Sequence, residues 1–125
     1  MNTFHKEERL CSKKSIEELF AAKKSFLAHP FRVLWMETPV SGQYPVQVAF
    51  GVSKRYDKRA VKRNLIRRRM REAYRKNKSL LYDHCRETSM GYHLFISYIA
   101  KEETEYALIE KKMISLFEKL KKIHE

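Results

Sequence analysis

The sequence predicts an α+β domain in two layers, with helices covering a small mixed sheet. Three observations carry this. Runs at 31–37, 44–52 and 92–99 are rich in β-branched and aromatic residues. Segments at 12–24 and 102–123 place apolar residues at helical spacing. Between these lies a long basic segment that is itself amphipathic. The expected order is α-β-β-β-α-β-α, a two-layer α/β sandwich in one domain spanning residues 1–125.

The first helix is expected over Ser12–Lys24. Ser15 and Glu18 match a capping box, and Ile16, Leu19, Phe20 and Lys23 share a face. Phe31–Glu37 reads as a strand, and Pro39–Gln43 as a turn. Tyr44–Val52 reads as a second strand, or as two short ones. Val46, Val48, Phe50 and Val52 alternate onto one face, while Gln47, Ala49 and Gly51 leave little bulk on the other. That gap suits the close approach of a helix or ligand. After a loop at Ser53–Tyr56, Asp57 is the expected N-cap of the basic helix, which runs to about Lys78. Tyr92–Ile99 is the last strand and Glu102–Ile123 the last helix, apolar at Tyr106, Ile109, Met113, Leu116, Phe117, Leu120 and Ile123.

Composition bounds the function. The chain has 125 residues, 43% hydrophobic and 34% charged, with three glycines and three prolines, which suits one folded domain. Residues 1–8 have no apolar core and no run approaches a membrane span, so the cytoplasm and no membrane partner are expected. The two cysteines, Cys11 and Cys85, form no CxxC, and His84-Cys85 lacks a second ligand pair, so two free, mostly buried thiols are expected. The acidic residues are scattered and the five histidines show no pairing. No residue is therefore assigned as catalytic.

Net charge is +12, and its placement says more than its size. Residues 54–78 hold thirteen basic side chains against Asp57 and Glu72, or +11; the other hundred hold 14 basic and 13 acidic, or +1. A soluble surface mixes both signs. A single concentrated block calls for a polyanionic partner. On a helical wheel, Arg63, Arg67 and Arg71 form one stripe and Asn64, Arg68 and Arg75 the next. Together these span an arc of about 140°. Ile66, Met70 and Ala73 point elsewhere and form the apolar seat. Like charges one turn apart cost a few tenths of a kcal/mol per pair until something neutralises them. Arginine suits bidentate phosphate contact. No helix immediately precedes this one, as a helix-turn-helix needs, and no heptads follow, so folded RNA fits better than DNA.

The residues Ser53-Lys54-Arg55 and Ala60-Val61-Lys62-Arg63-Asn64-Leu65-Ile66-Arg67-Arg68-Arg69-Met70-Arg71-Glu72 resemble the signature of the bacterial ribonuclease P protein subunit. That signature is broadly AVxRNRxKRxxRE. Ala60, Val61, Arg63, Asn64, Arg68, Arg71 and Glu72 match it, Arg67 replaces a lysine, and Leu65 stands where its second arginine is expected. Leu10–Phe20 and Phe50–Lys54 are similar to the family's first helix and to the strand entering the motif.

The resemblance implies a ribosomal-protein-like fold with a left-handed βαβ crossover. It implies a partner, the catalytic RNA of ribonuclease P, held by Lys54, Arg55, Arg63, Asn64, Arg67, Arg68, Arg71 and Arg75, with one protein per RNA. It also implies that the holoenzyme removes the 5′ leader of precursor tRNA. Mg2+ would then act at the RNA active site, with none held tightly by the protein. The leader would lie in a cleft of first helix and sheet, lined by Phe20, Trp35 and Ile16. Ile16 stands where the family often has an aromatic residue. A structural RNA-binding protein of ribosomal type is the alternative reading.

Overall fold

The computed structural model describes residues 4–40, 43–54 and 56–123. Helix α1 is Lys13–Ala22, followed by strands β1 (Ser25–Ala28), β2 (Phe31–Pro39) and β3 (Val46–Val52). Helices α2 (Ala60–Asn77) and α3 (Ser79–Thr88) lead to β4 (Met90–Tyr98), and α4 (Tyr106–Lys122) closes the chain. A short 3-10 turn, Lys6–Glu8, precedes α1.

The four strands form one mixed sheet in the order β1-β2-β4-β3. β1 and β4 both pair antiparallel with β2, while β3 pairs parallel with β4. Parallel neighbours need a long crossover, and α2 with α3 supplies it. Backbones come very close at its foot: Tyr92 N–H donates to the Pro45 carbonyl, and a Cβ on Gly91 would sit 2.0 Å from that oxygen.

Period-two alternation gives the sheet two different faces. Phe31, Val33, Val46, Val48, Tyr92, Leu94, Ile96 and Tyr98 are buried beneath the long helices. Ile66, Met70 and Ala73, the seat read from the sequence, are fully buried there, with Tyr74 beside them. Burying each of the larger side chains contributes about 1.5–3 kcal/mol. The opposite face is only half covered, by α1, whose fully buried Leu19 fastens it down.

The structure departs from the sequence reading at several points. The strand count before α2 is right, but the third strand is β1, ahead of Phe31, and Tyr44–Val52 holds a single strand. The basic segment is followed by a separate helix, α3, so the order is α-β-β-β-α-α-β-α. Ser12, not Ser15, caps α1, its hydroxyl accepting from Ser15 N–H. The helix stops at Ala22 because Lys23 turns left-handed, at φ 57°. Asp57 is not the N-cap of α2; that position is Arg59, and Asp57 holds it from two residues upstream. The last helix begins at Tyr106, not Glu102, because Glu102–Thr104 form a loop tied to Tyr98 and Arg69. Of the two thiols, Cys85 is buried but Cys11 is exposed.

Candidate nucleic-acid interface

α2 stands on the core with its basic arc outward, and its arginines divide into two groups. Several are tied back to the protein. Arg63 Nη1 donates to the carbonyls of Asp57 and Lys58, at 3.0 and 2.6 Å, bracing the loop ahead of the helix. Arg75 pairs with Glu72 one turn earlier, at 2.5 Å. Arg69, on another arc, bonds Glu103 and the Thr104 carbonyl, so it is not placed to stand in for the arginine absent at position 65. Arg67 donates to Asn64 Oδ1 at 2.8 Å.

Arg68 and Arg71 form the second group. Both are exposed, and neither has a hydrogen bond or ion pair among the described residues. Burial, and then the like charges of Arg9 and Arg67, pull the Arg71 guanidinium below its usual pKa. Arg9 is a residue that the charge count along the chain does not find. It reaches this patch because the N-terminal segment runs beside β3, where Arg9 bridges to Val48 and Leu10 N–H donates to the Val48 carbonyl. Three guanidiniums thus gather with no carboxylate between them, an arrangement suited to polyanion contact. Lys54 is exposed in the turn leaving β3, while Arg55 lies outside the described residues.

Beside α1, the half-covered face of the sheet presents an aromatic surface. The ring of Phe20, 48% exposed, sits 5.3 Å from that of Phe95 on β4. Ile16, one turn before, is half-buried. The sparse face of β3 is where Phe95 fits: a Cβ on Gly51 would lie 2.9 Å from its ring. The gap read from the sequence is therefore filled by a neighbouring strand. His93 shares this face, and burial, opposed by Glu18, lowers its pKa. Arg32 adds an exposed cation on the same face of β2.

Trp35 does not join this surface. It faces the other side of the sheet, edge-on to the buried Tyr92 at 6.4 Å and under the ammonium of Lys24 at 4.9 Å. Phe95 is the aromatic partner that Phe20 finds instead. The family resemblance names a position on β2 and not its face, which strand pairing alone sets.

A family model described as Ribonuclease P matches residues 4–121. The chain belongs to the ribonuclease P protein family. It is 32% identical over 108 residues to the ribonuclease P protein component of Porphyromonas gingivalis, covering 86% of this chain and 79% of that one. Its identity to the ribonuclease P protein component of Chlorobium phaeobacteroides is 37% over 103 residues, covering 78% and 70%. Among solved structures, the ribonuclease P protein of Thermotoga maritima superposes with a TM-score of 0.69 at 21% identity, covering 90% and 96%. The Staphylococcus aureus protein gives 0.64 at 18%, covering 89% and 93%. As a member of the ribonuclease P family, the chain is a subunit of an endoribonuclease of tRNA processing. No helix among the described residues is long and apolar enough to cross a membrane.

Proposed function

We propose that the outer arc of α2 binds the catalytic RNA of ribonuclease P, and that the cleft beside α1 holds the 5′ leader of precursor tRNA. The observation that carries the first half is the pair Arg68 and Arg71, exposed and unpartnered among the described residues, with Arg9 and Arg67 beside Arg71. Arginines with internal partners shape the surface, and these two are left for phosphates. Arg63 serves the interface indirectly, by fixing the loop at Asp57 and Lys58.

For the leader, the support is chemical. Single-stranded RNA is held by stacking platforms along a positive track. Phe20 backed by Phe95 is such a platform, Ile16 extends it, and Arg32 supplies charge. Trp35 is left out of this reading. Among the described residues, no three His, Cys, Asp or Glu side chains are grouped to hold a metal ion. On this reading Mg2+ belongs to the RNA, the complex holds one protein per RNA, and it works in the cytoplasm.

Reconstitution tests the proposal. The protein with its cognate RNA is expected to release the leader at magnesium concentrations where the RNA alone is slow. It should also favour precursor over mature tRNA. Equal affinity for the two tRNAs would leave the cleft without a leader and favour a purely structural role.

A further inference from the structure

Val61 is 79% exposed, and Leu65 follows it one turn along α2. The two form an apolar stripe along a surface groove walled by Lys62, Asn64, Arg68 and Arg71. Elsewhere this side of the helix is cationic, so the stripe breaks an otherwise continuous phosphate-binding surface. It includes the position where the family signature has arginine.

Methyl groups serve a phosphate badly, because an anion pressed against them loses hydration and gains no hydrogen bond. A nucleobase is the better match, with an apolar face and a hydrogen-bonding edge. Asn64 supplies a group for that edge. Its Oδ1 already accepts from Arg67, which leaves its amide N–H groups to donate to a base. The cationic walls select RNA over an apolar protein partner.

We propose that Val61 and Leu65 seat the face of one unstacked nucleobase of the catalytic RNA, with Arg68 and Arg71 on the phosphates flanking it. This rests on the reading of α2 as the RNA interface. In place of one charge contact, the chain makes an apolar one.

The test is the affinity of the full-length protein for its cognate ribonuclease P RNA across a salt series. Leu65→Ala is expected to weaken binding about threefold to tenfold at every salt concentration, as for one partly buried apolar contact. The slope of log affinity against log salt should not change, since no counterion contact is lost. Leu65→Met should retain wild-type affinity. In methyl-labelled protein, the Val61 and Leu65 resonances should move upfield on binding, under the ring current of a base.

Wild-type affinity in Leu65→Ala, or a loss that comes with a flatter slope, overturns the seat. Weaker binding without upfield methyl shifts overturns the base as its occupant. Arg68→Ala separates the two levels of the argument. If that variant also binds like wild type, the reading of α2 itself fails; if Arg68→Ala weakens binding and Leu65→Ala does not, only the seat fails.

Discussion

Lys78 donates to Glu8 across 70 positions of the chain, Nζ to Oε1 at 2.7 Å, with the Glu8 side chain wholly buried. The same oxygen accepts from Tyr82 OH, which contacts Tyr74 OH, while the other carboxylate oxygen accepts from His5 N–H. This network joins the N-terminal segment to the junction of α2 and α3. It also holds the neighbouring Arg9 beside the basic arc.

Removing one member of that pair takes a buried charge partner from the other. Glu8→Ala is expected to cost about 3–5 kcal/mol, because the Lys78 ammonium stays buried and loses the Glu8 carboxylate. The double variant Glu8→Ala/Lys78→Met should recover much of the loss, since apolar replacement of both partners is close to neutral. Urea unfolding measures both. A Glu8→Ala loss below about 1 kcal/mol, the range of exposed pairs, would show that the network does not hold the segment.

On the interface, Arg68→Ala and Arg71→Ala should each weaken binding of the catalytic RNA. Each should also flatten the salt dependence by about one unit of slope. Arg69→Ala is the contrasting variant, because its guanidinium is engaged with Glu103 and Thr104. It should lower stability and leave the slope unchanged. A slope equally flattened by all three would mean that α2 meets RNA over a wider arc than the one described.

In the cleft, Phe20→Ala should reduce affinity for leader-bearing tRNA by about 1–3 kcal/mol, the worth of one base stack. Affinity for the catalytic RNA should not change. Trp35→Ala should instead lower stability without selecting against the leader, since its ring packs on the core side. Loss of leader preference in Trp35→Ala alone would reverse these assignments.

The loop before α2 carries a pH signature. Two bonds from the Arg59 side chain and one from its backbone N–H hold the Asp57 carboxyl at a pKa of about 2, against an ordinary 3.8. A carboxyl depressed on folding stabilises the folded state fully above its unfolded pKa and loses that effect as pH falls through the folded one. The loop should therefore be at full strength above about pH 4 and weaken towards pH 2. A carboxyl titration followed by NMR should find Asp57 near 2 in wild type and higher in Arg59→Ala, still below the ordinary value because the backbone N–H at position 59 continues to donate. High salt should narrow the difference, as the pair is exposed.

The basic arc was legible because helical period and charge coincide over 25 residues, and the seat at Ile66, Met70 and Ala73 came out as read. The strands that alternate strongly were legible for the same reason. β1 was not, since Ser25–Ala28 is only four residues long and has no alternation of its own to read. The boundary between α2 and α3 was hidden because the chain stays helical through Lys78 and only the hydrogen bonding restarts. Phe20 and Trp35 were paired by the family resemblance alone: the helical period groups Phe20 with Ile16 and Leu19, and the face that Trp35 takes depends on a register that only strand pairing supplies. Arg9 joins the patch through tertiary structure, which charge counted along the chain does not carry.

The strand order has a consequence for synthesis. β3 takes its ladder from β4, and residues 90–98 are made only after the whole of α2 and α3. At elongation rates of about 5–20 residues per second, the arginine helix waits about 1–4 seconds, the time from the end of α2 to the end of β4, before the sheet beneath it can close. During that interval a nascent chain bearing +11 in 25 residues emerges beside ribosomal RNA, a large polyanion. Closure of the sheet is thus late and non-local, the kind of step that sets a slow folding rate. A chain ending before Met90 would carry the full basic charge with β3 lacking its ladder partner.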